Sequence, residues 1–578
     1  MILQSVIDIA EICARKGVQD IVLSPGSRCA PLVLAFARHP QLRVRTVSDE
    51  RSAAFIGLGI AQQTQKPVVL VCTSGTAAYN YAPAVAEAFY QHIPLLVLTA
   101  DRPPEWVDQL DGQTIKQSHI YGGHVKRSLD FPVETSHADS QWHATRLINE
   151  ALNETVAFPK GPVHINIPLR EPFYPEEGET FAYGAYVKII EEFPSSGQLS
   201  QDVVTTLQDE LKGFKRILVV AGQGRKDQAL QEAVWHFCQS TGAVFVTDTI
   251  SNQQVEGETI SYHDVFLAAK SAKTEPAIQP DLLLTFHKSL ISKNLKLYLR
   301  GQQNMQHWHV QPAGQVADTF QALTRIIRAE PKVFFQQVTL NETNAKVAPN
   351  FANAWFELNA QGKSVLERFQ ENSPFSEFKV CHQVLRSLPT NSILHLANSM
   401  SVRYANLIGV SALENVEVMA NRGTSGIDGS TSTAVGAALS TDKLVTLLTG
   451  DMAFLYDRNA LWHNYLPQNL RIMVLNNHGG GIFRMIEGPR SQPELGPFFE
   501  TDQRQTAQKT AEDMGLTYLK VTDGNALAEA LPKFFDLSAG PQLLEVETSS
   551  PENYQVFAAY REMVQQEISL GKNSTSQL

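Results

Sequence analysis

The sequence predicts an α/β protein of three domains, each with a parallel sheet flanked by helices, the first and third being related. Three observations predict this. Short apolar runs alternate with helical patterns along the chain, as in βαβ units whose parallel sheets are covered on both faces. The chain has 578 residues, more than one core holds. The region from Val68 also recurs 376 positions later, ungapped over about thirty residues. Val68–Val71 falls on Leu444–Leu447, Thr73 on Thr449, Ala77 on Ala453, and Leu95–Leu98 on Arg471–Val474. Turns and strand starts stay in phase, which favours duplication of one domain over chance likeness of two α/β units.

The elements follow in order. Val6, Ile9, Ala10 and Cys13 recur at helical spacing, and Gly17 ends that helix. Ile21–Leu23 is a short strand running into the tight loop Ser24-Pro25-Gly26-Ser27-Arg28. Val44–Val47 is a strand ending in Ser48-Asp49-Glu50-Arg51, followed by a small-residue helix (Ala53, Ala54, Gly57, Gly59, Ala61). Val68–Cys72 breaks at Thr73-Ser74-Gly75-Thr76, and Leu95–Leu98 leads into the loop Ala100-Asp101-Arg102-Pro103-Pro104. Residues 171–200, rich in Pro, Glu, Gly and Ser, read as a linker. A middle unit follows, with strands at Arg216–Val220, Val244–Val246 and Asp281–Leu284. Its Gly222-x-Gly224 is a weak dinucleotide signal, because the third glycine and the following acid are missing. A second linker covers about 336–350, and a polar tail after Leu570 is expected to be disordered. The expected domains are 1–180, 195–335 and 350–565.

Composition excludes several classes. Apolar content of 43% and charged content of 19% are those of an ordinary globular protein. The net charge of −11 comes without a basic block, which argues against nucleic acid. The chain lacks an apolar run long enough for a membrane helix and a basic-then-apolar leader. Five scattered cysteines without a CxxC read as reduced, mostly buried thiols, so a cytoplasmic location is expected.

The chemistry concentrates between Leu444 and Gly481. A strand ends at Thr449-Gly450-Asp451, and the next at Asn476-Asn477 before three glycines. An acid and an amide at neighbouring strand ends would sit together on the carboxyl edge, where open α/β sheets bind ligands. Asp451 and Asn477, with the Gly479 carbonyl, offer hard oxygen ligands suited to Mg2+. Free N–H groups at the turn after Asp451 favour a diphosphate. The first copy has Ser74-Gly75 where the second has Gly450-Asp451, so only the second can hold the metal.

Gly450-Asp451 followed by Asn476-Asn477 resembles the cofactor motif of the thiamine-diphosphate enzymes, the family that contains pyruvate decarboxylase and acetohydroxyacid synthase. Ser24–Arg28, Ser48–Ala53, Asp101–Glu105 and Asn421–Gly429 resemble one branch of it more closely. That branch joins 2-oxoglutarate to isochorismate in menaquinone biosynthesis. The resemblance covers nearly the whole chain. It implies a pyrimidine-binding first domain, a diphosphate-binding third domain, and bound thiamine diphosphate with Mg2+ or Mn2+. Met452 stands where the broad family has a glycine, as it does in this branch.

The resemblance implies that Glu50 is catalytic. It would hydrogen-bond the cofactor's pyrimidine and shuttle a proton, its carboxyl being raised by a mostly apolar pocket. Thr73, Gly75, Ser399, Gly426, Gly450 and Met452 would also touch the cofactor, and Ile427 would prop it into its bent form. Ile482 and Phe483 would wall the reacting centre. Substrate carboxylates would pair with Arg28, Arg102, Arg403 and Arg422, assisted by Ser27, Gln113, Lys293 and Ser399. Glu50 and Asp451 would come from different subunits of a homodimer or homotetramer. A different 2-oxo acid decarboxylase or acetohydroxyacid-synthase-like carboligase is the alternative. The arginine loops argue against it. Retention of Glu50, Asp451 and Asn477 argues against a non-catalytic regulator.

Overall fold

The computed structural model describes residues 4–171, 173–184, 187–193, 197–269, 276–340 and 348–568. The expected disordered tail after Leu570 and the middle of the second linker lie outside them.

Three parallel sheets are built in chain order. The first holds β1 (Asp20–Leu23), β2 (Arg43–Thr46), β3 (Val68–Cys72), β4 (Leu95–Asp101), β5 (Arg127–Asp130) and β6 (Val163–Pro168), in the order β2-β1-β3-β4-β6-β5. The second holds β7 (Ile217–Ala221), β8 (Val244–Thr247), β9 (Leu282–Phe286), β10 (Gln306–Val310) and β11 (Leu323–Ile327), in the order β11-β10-β9-β7-β8. The third holds β12 (Ile393–Leu396), β13 (Glu417–Ala420), β14 (Val445–Gly450), β15 (Leu470–Asn476), β16 (Thr517–Val521) and β17 (Gln542–Glu547), in the order β13-β12-β14-β15-β17-β16. Counted from its own first strand, each outer sheet reads 2-1-3-4-6-5. The echo seen in one stretch of sequence therefore extends over both sheets.

The central strands β3, β4 and β15 are buried at every residue, which is why they read as continuous apolar runs. Edge strands such as β2 (RVRT) and β5 (RSLD) are partly exposed and carry no such signal. β4 runs on to Asp101, because β6 pairs with it as far as Asp101 opposite Pro168. The loop expected from Ala100 therefore begins at Arg102.

The two copies meet through equivalent helices. Glu50–Thr64 follows β2 and Ser430–Ala438 follows β13, and they pack glycine to backbone. A Cβ on Gly59 would meet the Thr433 carbonyl oxygen at 2.1 Å, and one on Gly436 the Ile56 carbonyl oxygen at 2.1 Å. Around this crossing, Leu70 and Val22 of the first sheet share one apolar core with Leu447 and Ile393 of the third. Gly436→Ala would drive its methyl group into backbone that cannot rotate away. We expect a loss of about 3 kcal/mol of stability, the upper end for overpacking, read as a lower midpoint in chemical unfolding. An unchanged midpoint would show that the helices can separate freely.

The first expected linker is not a free tether where it is described. Phe181, Tyr183, Val187 and Ile189 pack against the first core, and the Ile190 carbonyl accepts from Lys16 Nζ at 2.7 Å. In the middle unit, a Cβ on Gly222 would meet the Lys288 carbonyl oxygen at 2.0 Å, and one on Gly224 the His287 ring at 2.3 Å. These glycines admit a neighbouring loop of the protein itself, so the pair carries no dinucleotide signal.

Candidate active site

β14 and β15 are neighbours, with Gly450 opposite Leu475. Asp451 and Asn477, each the residue after its strand, thus stand side by side on the carboxyl edge. Asp451 is 3% exposed, and its Oδ2 accepts from Gln503 Nε2 at 2.7 Å. The Asn477 amide donates Nδ2 to Glu377 Oε1 at 2.5 Å. That bond leaves Asn477 Oδ1 buried without a partner. The glycines let the chain turn tightly here: a Cβ on Gly481 would meet the Asn477 amide at 2.8 Å, and one on Gly479 the Glu500 carbonyl oxygen at 2.9 Å.

The electrostatics favour a cation. Burial pushes the Asp451 carboxyl up to about 6, against the bonds it accepts from Gln503 and from backbone N–H groups. Burial pushes Glu377 up to about 8, and the charge of Asp451 adds to the rise. The buried Asp451 carboxylate and the orphaned Asn477 Oδ1 offer hard oxygen donors, and Glu377 orients the second of them. Such a set fits a divalent metal ion.

Glu377 was not legible in the sequence. It lies 100 positions from Asn477, at the start of the helix Glu377–Arg386, and no local pattern connects the two. Its role is to orient an amide whose two ends differ only in chemistry. We expect Glu377→Ala to weaken Mg2+ binding 10- to 100-fold, as loss of an outer partner typically does (about that range). Glu377→Gln, which still offers an oxygen, should lose far less. Calorimetric titration with Mg2+ and thiamine diphosphate measures both. Equal affinities for wild type and Glu377→Ala would remove Glu377 from the site.

The second set of residues crowns the first sheet. Asp49 caps the helix Glu50–Thr64 by accepting from Ser52 N–H at 3.1 Å, so Glu50 is its first residue. Glu50 Oε2 accepts from Asn80 Nδ2 at 3.2 Å, and Glu50 is half-exposed. The mostly apolar surround expected for it is therefore not supplied by its own chain. Thr73 is buried with Oγ1 unpartnered, and a Cβ on Gly26 would collide with its side chain at 2.4 Å. The Ser24–Arg28 loop thus sits directly over β3. Gly75, at φ +83°, donates its N–H to Gln117 Oε1 at 3.1 Å and lies against Gln113.

Arg28 donates to the Leu169 carbonyl at 3.0 Å and stacks over Phe173 at 4.6 Å. Arg102 pairs with Asp111 at 2.8 Å and donates to the Gly112 carbonyl at 3.0 Å. Its Nε–H is buried without a partner. Arg28 and Arg102 lie within electrostatic reach of each other. Ser27 and Gln113 are exposed on the flanking loops.

The third set belongs to β12 and β13. Ser399, at φ +74°, precedes the helix Met400–Ile408, and Arg403, one turn on, donates to its carbonyl. Arg422 donates to Asn398 Oδ1 at 2.9 Å, while Asn398 Nδ2 donates to the carbonyls of Asn421 and Gly426, each at 2.7 Å. Asn398 therefore ties Arg422 to the loop that carries Gly426 and half-buried Ile427. Burial, then repulsion from Arg403, weakens proton binding by Arg422, while Asp248 and Glu87 oppose this. Arg422 Nε is buried and unpartnered.

Lys293 is exposed on the first turn of the helix Lys293–Arg300. Lys296 on the same helix, which the motif did not mark, lies within electrostatic reach of Arg422 and Arg403. Ile482 packs on the largest core, and Phe483 lies 5.8 Å from Phe499. Within one chain, Glu50 and Asp451 have different partners, Asn80 and Gln503.

Comparison with known proteins gives the site its context. Residues 7–120 match the N-terminal binding domain of the thiamine pyrophosphate enzymes, 197–396 their middle domain and 400–546 their C-terminal binding domain. The chain is 46% identical to a 2-succinyl-5-enolpyruvyl-6-hydroxy-3-cyclohexene-1-carboxylate synthase of Cytophaga hutchinsonii, over 98% of this chain and 99% of that protein. Proteins of that name from Flavobacterium johnsoniae and Bacteroides fragilis are 38% and 36% identical, each over 96% of this chain and over 97% and 98% of their own lengths. All five cysteines are unpaired, and among the described residues no helix is long and apolar enough to cross a membrane. The chain thus belongs to the 2-succinyl-5-enolpyruvyl-6-hydroxy-3-cyclohexene-1-carboxylate synthases, thiamine-diphosphate-dependent transferases built on three α/β domains.

Proposed function

We propose that this enzyme decarboxylates 2-oxoglutarate and adds the succinyl semialdehyde unit to isochorismate. The products are 2-succinyl-5-enolpyruvyl-6-hydroxy-3-cyclohexene-1-carboxylate and CO2, in menaquinone biosynthesis. The observation that carries the substrate reading is the pair of buried, unpartnered Nε–H groups on Arg102 and Arg422. A buried donor left free of protein partners is costly unless a ligand takes it, and guanidinium is the group best shaped for carboxylates. Both proposed substrates are polyanions. An acetohydroxyacid-synthase-like enzyme handles smaller acids and would not need this arginine set.

The residues take the following roles. Asp451, the Asn477 Oδ1 and the Gly479 carbonyl would hold Mg2+ or Mn2+, and with Gly450 and Met452 they would bind the cofactor's diphosphate. Glu50 would hold and move a proton at the pyrimidine end, and Thr73, Gly75, Ser399, Gly426 and Ile427 would hold the cofactor. Bound thiamine diphosphate supplies the electron sink for loss of CO2. Arg28, Arg102, Arg403 and Arg422, with Ser27, Gln113, Lys293 and Ser399, bind and orient the acids. Ile482 and Phe483 exclude water. Glu50 is half-exposed on its own chain, which supports an active homodimer or homotetramer whose second subunit covers it. The same reading sets domain limits at 1–180, 195–335 and 350–565 and a cytoplasmic location.

The test is an assay with thiamine diphosphate, Mg2+, 2-oxoglutarate and isochorismate, following isochorismate absorbance. Consumption that needs all four components supports the reading. CO2 release from 2-oxoglutarate with isochorismate left intact would keep the cofactor and overturn the acceptor.

A further inference from the structure

Glu87 lies in the helix Ala82–Gln91 of the first unit and is 1% exposed. Its carboxylate is turned towards the third unit. Oε1 accepts from the Gly423 N–H at 2.8 Å and from Gln91 Nε2 at 2.5 Å. Oε2 accepts from the Thr424 N–H at 2.6 Å and from Thr424 Oγ1 at 2.5 Å. The backbone approach is close: a Cβ on Gly423 would meet the Glu87 carbonyl oxygen at 2.7 Å.

Gln91, one turn further on, completes the junction. Its Oε1 accepts from Gln62 Nε2 and from Gln223 Nε2, both at 3.1 Å, and its carbonyl accepts from Lys288 Nζ at 2.5 Å. Gln223 also donates to the Ala420 carbonyl at 2.9 Å. Loops of all three sheets therefore converge on Glu87 and Gln91, and what they grip is the backbone from Ala420 to Thr424. That segment carries Arg422.

Apolar packing alone would have joined the domains at less desolvation cost than a buried carboxylate. A charge aimed at two successive N–H groups and a hydroxyl instead fixes the loop in position and orientation. The same charge lies within electrostatic reach of the Arg422 guanidinium. We propose that Glu87 is a positioning residue for Arg422, holding loop 421–424 so that the free guanidinium edge faces a substrate carboxylate. This rests on the reading of Arg422 as a substrate-binding residue.

Steady-state kinetics of Arg422→Lys, Glu87→Gln and Thr424→Val test it. Arg422→Lys should raise the KM of one of the two acids, which identifies the acid that Arg422 holds. Glu87→Gln keeps the volume but sets an NH2 group against a backbone N–H. It should raise that same KM about tenfold, the scale of an outer-partner loss, with kcat changed far less and with thiamine diphosphate and Mg2+ affinity kept. Thr424→Val should move the same KM in the same direction by a smaller factor. A folded Glu87→Gln enzyme with both KM values unchanged overturns the proposal. So does a loss confined to unfolding temperature, which would mark a purely structural contact. If Glu87→Gln fails to fold, an unchanged KM in Thr424→Val overturns it. If Arg422→Lys moves neither KM, the reading of Arg422 itself falls, and with it the role of Glu87.

Discussion

Glu50→Gln is expected to lower kcat by about 10²- to 10⁴-fold, the usual contribution of a positioned general acid or base, while the protein stays folded and binds its cofactor. The amide fills the same space and still accepts a hydrogen bond from Asn80, the partner of Glu50 Oε2 at 3.2 Å. What it loses is the proton that the carboxyl group holds and moves. Because Glu50 is the first residue of the helix Glu50–Thr64 and Asp49 is its cap, the substitution leaves the cap intact. A folded Glu50→Gln protein with more than a tenth of wild-type kcat would remove the proton-transfer role, whatever its KM values. The variant also separates the two edges of the site. Calorimetric binding of Mg2+ with thiamine diphosphate should be nearly unchanged, since the proposed metal donors lie after β14 and β15.

Asp451→Asn should act in the opposite way on function and stability. Removing the one charged donor of the proposed metal set is expected to weaken Mg2+ binding by on the order of a thousandfold, because carboxylate count sets such affinities over several decades. Activity at ordinary Mg2+ concentrations should vanish with it. Stability of the metal-free protein should move the other way. Burial raises the folded-state carboxyl from 3.8 to about 6. The ionised form is thus disfavoured by folding, and this cost is absent below pH 4, grows as pH rises towards 6 and is complete above it. The neutral amide escapes the cost. Metal-free Asp451→Asn should therefore unfold at a higher temperature than metal-free wild type at pH 7.5, and the gap should close towards pH 4. A variant that is less stable at pH 7.5 and still binds Mg2+ normally would make Asp451 a structural residue.

The sequence alone determined the class of fold and the duplication, and it placed Asp451 and Asn477 just past two strands that the structure pairs side by side. Buried parallel strands such as Val68–Cys72 and Leu470–Asn476 must be continuously apolar, and an acid or amide just past such a strand needs only chain order to be placed on the ligand edge. The same local logic put Arg102 and Arg422 in strand-end loops, whereas Glu50 stood out only through the family resemblance, and its place behind the Asp49 cap came from the structure. Tertiary structure alone decided which long-range partners complete the site. Glu377 orients Asn477 from 100 positions away, and Glu87 grips Thr424 from 337 positions away. Lys296, a residue that no motif marked, lies within electrostatic reach of Arg422 and Arg403. Gly222 and Gly224, which resembled a nucleotide motif, admit a loop of the protein itself. The physical reason is one of range. Strand burial and helix capping are written into neighbouring residues, whereas the orientation of a buried amide or guanidinium is set by whichever distant group the packing brings within about 3 Å, and periodicity holds no record of that.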